Sequence, residues 1–522
     1  MIELTLAEVA AVVGGRLHRA VGSETITGSV EFDSRAVGPG DLFVALPGER
    51  LDGHDFAVAA ARAGAAGVLA AREVNAPSII VPRSGWPPST TTTPSGGTSS
   101  TPIATASGGP SSTTIAAVGG TSSTTIARSY VLAGDTDGSG AAVLAALAAL
   151  ARAVVDRLPS LTIVGVTGSS GKTSTKDLIA ALLRPLGPTI APPGSFNNEL
   201  GHPWTVLRAD ETTRHLVLEL SARGPGHIAA LCATAPPRIG VVVNVGSAHL
   251  GEFGSVEAIA KAKGELVEAL PPDGLAVLNA DDPAVAAMAR RTHARIVPFG
   301  TAGSAQVRAT DVTLDAHGRA GFRLITPAGE APTRLAVHGE HQVGNALAAA
   351  AVALELGATV PDIAQGLATA KPVSRWRMEV TDRPDGVTVI NDAYNANPES
   401  MRAALRTLAT IAGSARRSWA VLGPIGELGA ATDGAHEEVG RLVVRLGVDR
   451  LVVVGERAGA MHDGARLERS ERGESVLVPD VEAAIALLRD ELRPGDVVLV
   501  KASRAYGLER VATALQGEET AQ

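Results

Sequence analysis

The chain holds one cysteine, Cys232, in 522 residues, so no internal disulfide can staple it, and a reducing compartment is expected. Aromatic residues amount to 3% while glycine reaches 58 residues, a balance that favours closely packed helix-on-sheet layers over an aromatic-rich sandwich. An excess of positive charge is also missing: 46 Lys and Arg stand against 54 Asp and Glu, a net charge of −8. That excludes field-driven nucleic-acid binding, so any anionic ligand has to be held by local groups. The first residues, Met1 to Leu6, lack a basic region followed by an apolar one, and no signal peptide is expected. The Ala/Leu/Val-rich run at 141–155 is interrupted by Arg152 and followed by Asp156, so no membrane span is expected. What is present, 45% apolar residues, can bury globular cores, and the length divides into about three domains. The expectation is a cytoplasmic, monomeric, multidomain α/β protein.

One tract stands apart. Residues 84–127 carry no charge and are almost entirely Ser, Thr, Gly, Pro and Ala, with a unit repeated at 96–104, 108–116 and 119–127. Such a segment has too little apolar surface to offset its ordering entropy. It reads as a flexible surface insertion at 84–128; its Ile and Thr content leaves a stack of short β-strands as the alternative.

Elsewhere strands and helices alternate. Residues 1–83 read as a small α/β unit with a helix near 6–13, a strand at 41–46 and a helix at 55–64. From about 160, buried strands at 161–166, 216–220, 240–245 and 274–278 alternate with helices, and a helix at 340–356 closes the series. This is the pattern of a mainly parallel sheet covered by helices. A second series, with strands at 386–390, 418–422, 451–454 and 496–500 and helices near 399–411, 434–446, 481–490 and 504–515, suffices for a separate doubly wound domain. The boundaries are placed at 1–133, 134–374 and 375–522.

Chemistry concentrates first at 165–174, Gly-Val-Thr-Gly-Ser-Ser-Gly-Lys-Thr-Ser, directly between a strand and a helix. Backbone N–H groups of Gly168, Ser169, Ser170 and Gly171 can wrap a phosphate at a helix N-terminus. Lys172 would reach β/γ-phosphates and the Thr173 hydroxyl would ligate Mg2+, with Ser174 following. The loop is a short variant, because the first glycine of the usual P-loop pattern falls at Val166. Glu219 closes an apolar strand, where an acid faces the ligand-binding edge of a parallel sheet, and His249 follows another. Each alone reads as a solvated acid or a structural histidine; downstream of a phosphate loop they form a candidate metal pair. Lys263 reads by default as one lysine of a solvated helix face. Asn279-Ala280-Asp281-Asp282 closes a strand and suits either an Asx turn with helix cap or an adenine contact.

Taken together, the segment 167–173, Glu219, His249, Lys263 and Asn279-Ala280-Asp281 resemble the central domain of the Mur ligases, ATP-dependent amide-forming enzymes of peptidoglycan precursor synthesis. Arg377-Met378-Glu379, the run 391–398 (Asn-Asp-Ala-Tyr-Asn-Ala-Asn-Pro) and Lys501-Ala502-Ser503-Arg504 extend the likeness to the C-terminal part. Asp33-Ser34-Arg35 with the run to Leu46 is similar to the family's uridine-nucleotide domain. The resemblance spans the chain except 84–128. It implies three domains: a small N-terminal α/β domain for the UDP-precursor, a central P-loop-type ATPase domain and a C-terminal Rossmann-like domain. It also implies that Lys172 and Thr173 hold ATP phosphates and Mg2+, and that Glu219 and His249 hold a second Mg2+. Lys263 matches a lysine that is carbamylated in several members, a change that turns a cation into a metal ligand. Asn279, Arg377 and Asp392 are then nucleotide contacts, Ser34 and Arg35 precursor contacts, and Asn395, Asn397 and Ser503 weaker candidates for an incoming dipeptide. Two positions depart from the family's usual residues: Pro424 stands where an acid is common, and Gln342 replaces a frequent Asn.

The form Asp392-x-Tyr394-Asn395-Ala396-Asn397-Pro398 resembles the family member that adds D-alanyl-D-alanine to UDP-N-acetylmuramoyl-tripeptide. The preceding ligase, which adds the third peptide residue, is the alternative; a non-catalytic nucleotide-binding regulator is a remote one. Deleting 84–128 is expected to leave thermal stability and turnover nearly unchanged; a large loss of either would show that the tract is part of the fold.

Overall fold

The computed structural model describes residues 1–48, 51–82, 135–468 and 473–517. The proposed insertion 84–128 lies outside the described residues.

Among the described residues, three larger sheets with their helices form three domains, and a two-stranded antiparallel pair, Leu4–Thr5 with Thr25–Ile26, accompanies the first. Near the N-terminus, five short strands stand in the order Arg16–His18, Ser78–Ile80, Gly67–Ala70, Leu42–Val44, Val30–Glu31. The last four are parallel and only the first pair is antiparallel. The helix Leu6–Val13 begins where the sequence dictates: Thr5 and Glu8 close a reciprocal capping box, and Gly14 in a left-handed conformation ends it.

The central sheet has nine strands. From one edge run Thr189–Ile190, His215–Glu219, Thr162–Thr167, Ile239–Val242, Leu275–Asn279 and Arg295–Gly300, all parallel. Three longer strands, Val307–Leu314, Arg319–Thr326 and Gly329–His338, extend the other edge as an antiparallel meander. The parallel strands at its middle are buried on both faces and read as unbroken apolar runs. The meander alternates buried and exposed residues, a period that the helix–strand alternation does not reveal.

The C-terminal sheet runs Glu379–Asp382, Thr388–Asn391, Val497–Lys501, Ser418–Leu422, Arg450–Val454, Glu474–Val478, parallel except for the first pair. Its helices include Pro398–Ala412, Thr432–Arg445 and Val481–Glu491. The helix expected over 504–515 is shorter, Glu509–Gln516, because Gly507 takes a positive φ after the turn Arg504–Tyr506.

The apolar run at 141–155 forms the helix Ser139–Asp156, which by length and composition alone could cross a membrane. Here it lies in a core: Val143, Leu147, Leu150 and Val154 pack in one cluster with Leu4, Leu6 and Val9 from the N-terminal part and Leu207, Ile228 and Leu231 from the central part. Arg152 pairs with Asp156 one turn on. The first two domains thus share a core, while the C-terminal sheet has its own apolar clusters on its two faces. Replacing fully buried Leu147 by Ala is expected to cost about 2–5 kcal/mol, read as a lowered midpoint in chemical unfolding.

Candidate active site

The strand Thr162–Thr167 delivers the phosphate loop to the C-terminal edge of the central sheet, where loops between parallel strands and helices form ligand sites. Gly171 caps the helix Lys172–Leu183 with φ 78°. A Cβ there would also lie 2.6 Å from Asn345 Oδ1, so both conformation and space require glycine. Two of the loop's amides are already partnered: Ser169 and Ser170 N–H donate to Asn244 Oδ1 at 3.0 and 2.9 Å. Lys172 Nζ donates to Gly168 O at 2.8 Å, folded back on its own loop. Burial holds its ammonium below the usual lysine range, partly countered by the charge of Glu219.

Pairing of Glu219 with Val166 across adjacent strands sets its carboxylate beside the start of the phosphate loop. Glu219 is 1% exposed, so its charge has to be satisfied locally. Thr173 Oγ1 donates to Oε2 at 2.8 Å and Asn197 Nδ2 to Oε1 at 2.7 Å. Thr173 Oγ1 also lies 2.8 Å from Ser195 Oγ, which accepts from Arg377 Nη2 at 2.6 Å.

His249 stands in a left-handed conformation, φ 63°, just before the turn Leu250–Phe253. Its Nδ1 approaches Glu427 Oε2 at 2.6 Å and Glu252 Oε2 at 3.6 Å, with the nearer oxygen off the line a hydrogen bond needs. The close approach of His249 and its charge hold the Glu427 carboxyl below its usual range, whereas burial and then Glu427 push Glu252 up. Lys263 is buried on the helix Val256–Lys263. Burial first, and the charge of Lys172 second, push its amine well below the usual lysine value.

The C-terminal domain meets this edge at several points. Besides Arg377, Asn397 Nδ2 donates to Ser169 O at 3.4 Å, and Glu399 Oε1 accepts from Ser247 N and Oγ at 2.9 Å each. Arg377 sits between Trp376 and Met378, both in left-handed conformations with φ 59° and 50°. Its guanidinium stacks on Tyr394 at 4.3 Å, and Arg504 stacks on Trp376 at 4.2 Å. Asp392 Oδ1 accepts from Met378 N at 3.0 Å, and its Oδ2 accepts from fully buried Lys501 at 2.6 Å. Lys501 also donates to Asn395 O at 2.9 Å.

These groups line a cavity of about 810 Å³ between the central and C-terminal domains, within the range of small-molecule sites. Ser169 to Ser174, Glu219, His249, Arg377, Asp392, Asn395, Asn397 and Ser503 all face it. Gly168, Lys263, Asn279, Ser34 and Arg35 do not. Asn279 Nδ2 donates to Val243 O at 2.9 Å. The adjacent Asp281 lines a second cavity of about 290 Å³, with Thr301 and His341. Ser34 and Arg35 lie in the N-terminal domain, where exposed Arg35 forms a two-point ion pair with Asp33 and holds that carboxyl down at about 2. The side chains of Asn397 and Ser503 are committed to backbone: Asn397 caps the helix Pro398–Ala412, and Ser503 Oγ accepts from Gly426 N.

Sequence reasoning passed over Ser195, Asn197, Arg223 and Tyr506, which also line the cavity, and gave Arg504 no role of its own. The first two follow the short edge strand Thr189–Ile190, and the rule that ligands gather beyond the carboxyl ends of parallel strands would have reached them. Of the departures noted above, Pro424 contributes its carbonyl to Ser503 N, and Gln342 Oε1 accepts from Asn345 Nδ2 at 2.8 Å, turning that amide toward Gly171 and Thr175.

Comparison with known proteins matches residues 27–88 to the Mur ligase family catalytic domain, 166–353 to the Mur ligase middle domain and 376–504 to the Mur ligase glutamate ligase domain. The chain is 54% identical, over 100% of itself and 99% of the relative, to the UDP-N-acetylmuramoyl-tripeptide–D-alanyl-D-alanine ligase of Mycobacterium tuberculosis. A crystal structure of MurF from Acinetobacter baumannii superposes with a TM-score of 0.78 at 28% identity, covering 99% of both chains. MurF ligase from Thermotoga maritima in complex with ADP gives 0.72 at 29% identity, covering 94% of this chain and 98% of that one.

Replacing Lys501 by Met leaves the Asp392 carboxylate without its cation in a largely buried setting. A loss of about 3–5 kcal/mol is expected, seen as a lowered unfolding temperature of the C-terminal domain.

Proposed function

The chain belongs to the Mur ligase family, and we propose that it joins D-alanyl-D-alanine to UDP-N-acetylmuramoyl-tripeptide, cleaving ATP to ADP, in the cytoplasm and as a monomer. One observation carries the reading. Lys172, Thr173 and Glu219 from the central domain share a single cavity with Arg377 and Asp392 from the C-terminal domain. In this assignment residues 1–133, with Ser34 and Arg35, hold the uridine-nucleotide end, 134–374 hold ATP, and 375–522 bring the dipeptide and close the site.

The residues present fit Mg2+. A hydroxyl (Thr173), a carboxylate (Glu219) and an imidazole (His249) face the cavity, and oxygen donors suit that hard ion. When bound, the ion supplies positive charge against the phosphate oxygens. The Arg377 Nε–H, buried and without a partner, is a donor kept for an anion. Lys172 has only the Gly168 carbonyl to leave when a phosphate arrives.

A carboxylate is a poor electrophile. Its oxygen therefore attacks the γ-phosphorus of ATP, the bond to the β-phosphate oxygen breaks, and ADP leaves an acyl phosphate. The dipeptide's amine then attacks the acyl carbon, the C–O bond to phosphate breaks, and inorganic phosphate leaves with loss of an amine proton. Lys172 and Arg377 offset the charge of two anions brought together. Closure of the C-terminal domain keeps water from the acyl phosphate. Burial pushes the Lys263 amine toward its neutral form, the form that takes up CO2, which supports its assignment as a carbamylated ligand.

Phosphate release is expected only when ATP, the tripeptide precursor and D-alanyl-D-alanine are all present. Release with a dipeptide precursor and a single amino acid would instead identify the preceding ligase. Lys263→Ala is expected to lose activity by on the order of 100-fold and to regain part of it with added short carboxylates; an unaffected variant would exclude the carbamate.

A further inference from the structure

Between the strand Thr189–Ile190 and the helix Gly201–Val206, three consecutive residues reach three different parts of the molecule. Ser195 Oγ accepts from Arg377 Nη2 and lies 2.8 Å from Thr173 Oγ1. Phe196 packs against Trp204, with ring centroids 4.7 Å apart, and against Phe32 of the N-terminal domain at 6.3 Å. Asn197 Nδ2 donates to Glu219 Oε1. The loop's own backbone is pinned from beneath: fully buried Lys176 donates to Pro192 O at 2.6 Å and Gly194 O at 3.0 Å while paired with Asp177. Ser195 thus sits on a mount fixed on both sides, and Arg377 is the partner that arrives from the other domain.

The donors and acceptors along this line run one way. Thr173 has a single hydroxyl proton, which goes to Glu219 Oε2; the proton between the two hydroxyls is therefore Ser195's, and Arg377 fills an acceptor site on Ser195. Each bond in such a chain strengthens the next. Thr173 is left with its proton assigned, one lone pair occupied by Ser195 and one lone pair free toward the cavity.

We propose that Ser195 is a positioning residue that makes the seating of Arg377 and the orientation of the Thr173 hydroxyl a single event, so that nucleotide-bound metal is held best when the C-terminal domain is closed. The proposal rests on the ATP-and-Mg2+ reading above, but not on the identity of the peptide substrates. Removing Ser195 leaves the Thr173 hydroxyl held by Glu219 alone and takes away the acceptor of Arg377 Nη2.

The test measures ADP binding to the purified full chain by calorimetry across a Mg2+ titration, which needs neither precursor nor dipeptide. Ser195→Ala is expected to raise the Mg2+ concentration for half-maximal binding about fivefold, the loss of one ordinary hydrogen bond, with Ser195→Thr within about twofold of the unmodified chain on the same scale. Arg377→Ala is expected to produce a similar rise, and Ser195→Ala/Arg377→Ala no more than the larger single effect. Additive losses, a Ser195→Thr variant as impaired as Ser195→Ala, or an unmodified chain that binds no ADP with Mg2+ would each overturn the proposal. Should Ser195→Ala fail to fold by circular dichroism, Arg377→Ala decides alone, and an unchanged Mg2+ dependence there is sufficient to reject it. Failure of D-alanyl-D-alanine to support phosphate release would remove the substrate assignment and leave this measurement standing.

Discussion

A carboxylate closed into the end of a buried strand is the constraint around which the active edge is organised. Glu219 cannot remain charged there without donors, and the donors it has, Thr173 and Asn197, come from the phosphate-loop helix and from the loop after the edge strand. Each donor is itself tied down, Thr173 through Ser195 to Arg377 and Asn197 through the neighbouring backbone, where Ser221 N and Oγ donate to Asn197 O. Satisfying one acid thus fixes two loops of the central domain and gives the third domain a place to dock.

The charge of the whole chain works against an anionic ligand, and the cavity offsets it locally, with five cations set against the carboxylates of Glu219, Asp392, Glu399 and Glu427. Lys172, Arg223, Arg377, Lys501 and Arg504 all face it. They are held differently. Lys501 is fully buried and ion-paired with Asp392, and so serves architecture; Arg504 is braced by Trp376 and paired with Glu509, whereas Arg377, braced by Tyr394, keeps its Nε donor for use. In a chain with so few aromatics, it is informative that Trp376, Tyr394 and Tyr506 gather at this one junction.

Much of this was legible in the sequence for physical reasons. Apolar runs followed by glycine or acid mark strand ends of a parallel sheet, and a Lys-Thr pair after Gly-Ser-Ser-Gly marks a phosphate loop; both depend on near neighbours in the chain. The antiparallel meander from Val307 to His338 was hidden because its period-two pattern is polar on one side. Lys263 is fully within a helix whose lysines look solvated, and only packing shows its amine to be dry. Ser195 was invisible because its meaning comes from Arg377, 182 residues away, and no local rule connects them. Asn397 and Ser503, weaker candidates for a dipeptide contact, line the cavity and also hold backbone in place, a second duty that motif reading does not reveal.

Trp376 and Met378 flank Arg377 in a conformation that side chains of their size avoid, at about 1–3 kcal/mol each. They are kept there by bonds within the C-terminal domain itself: Met378 N donates to Asp392 Oδ1 and Tyr394 N to Trp376 O. The strain therefore belongs to the C-terminal domain and fixes the direction of Arg377 independently of the phosphate loop that it meets. An enzyme that must grip three substrates and then let three products go gains from an arm aimed in advance, because seating it then costs little further ordering.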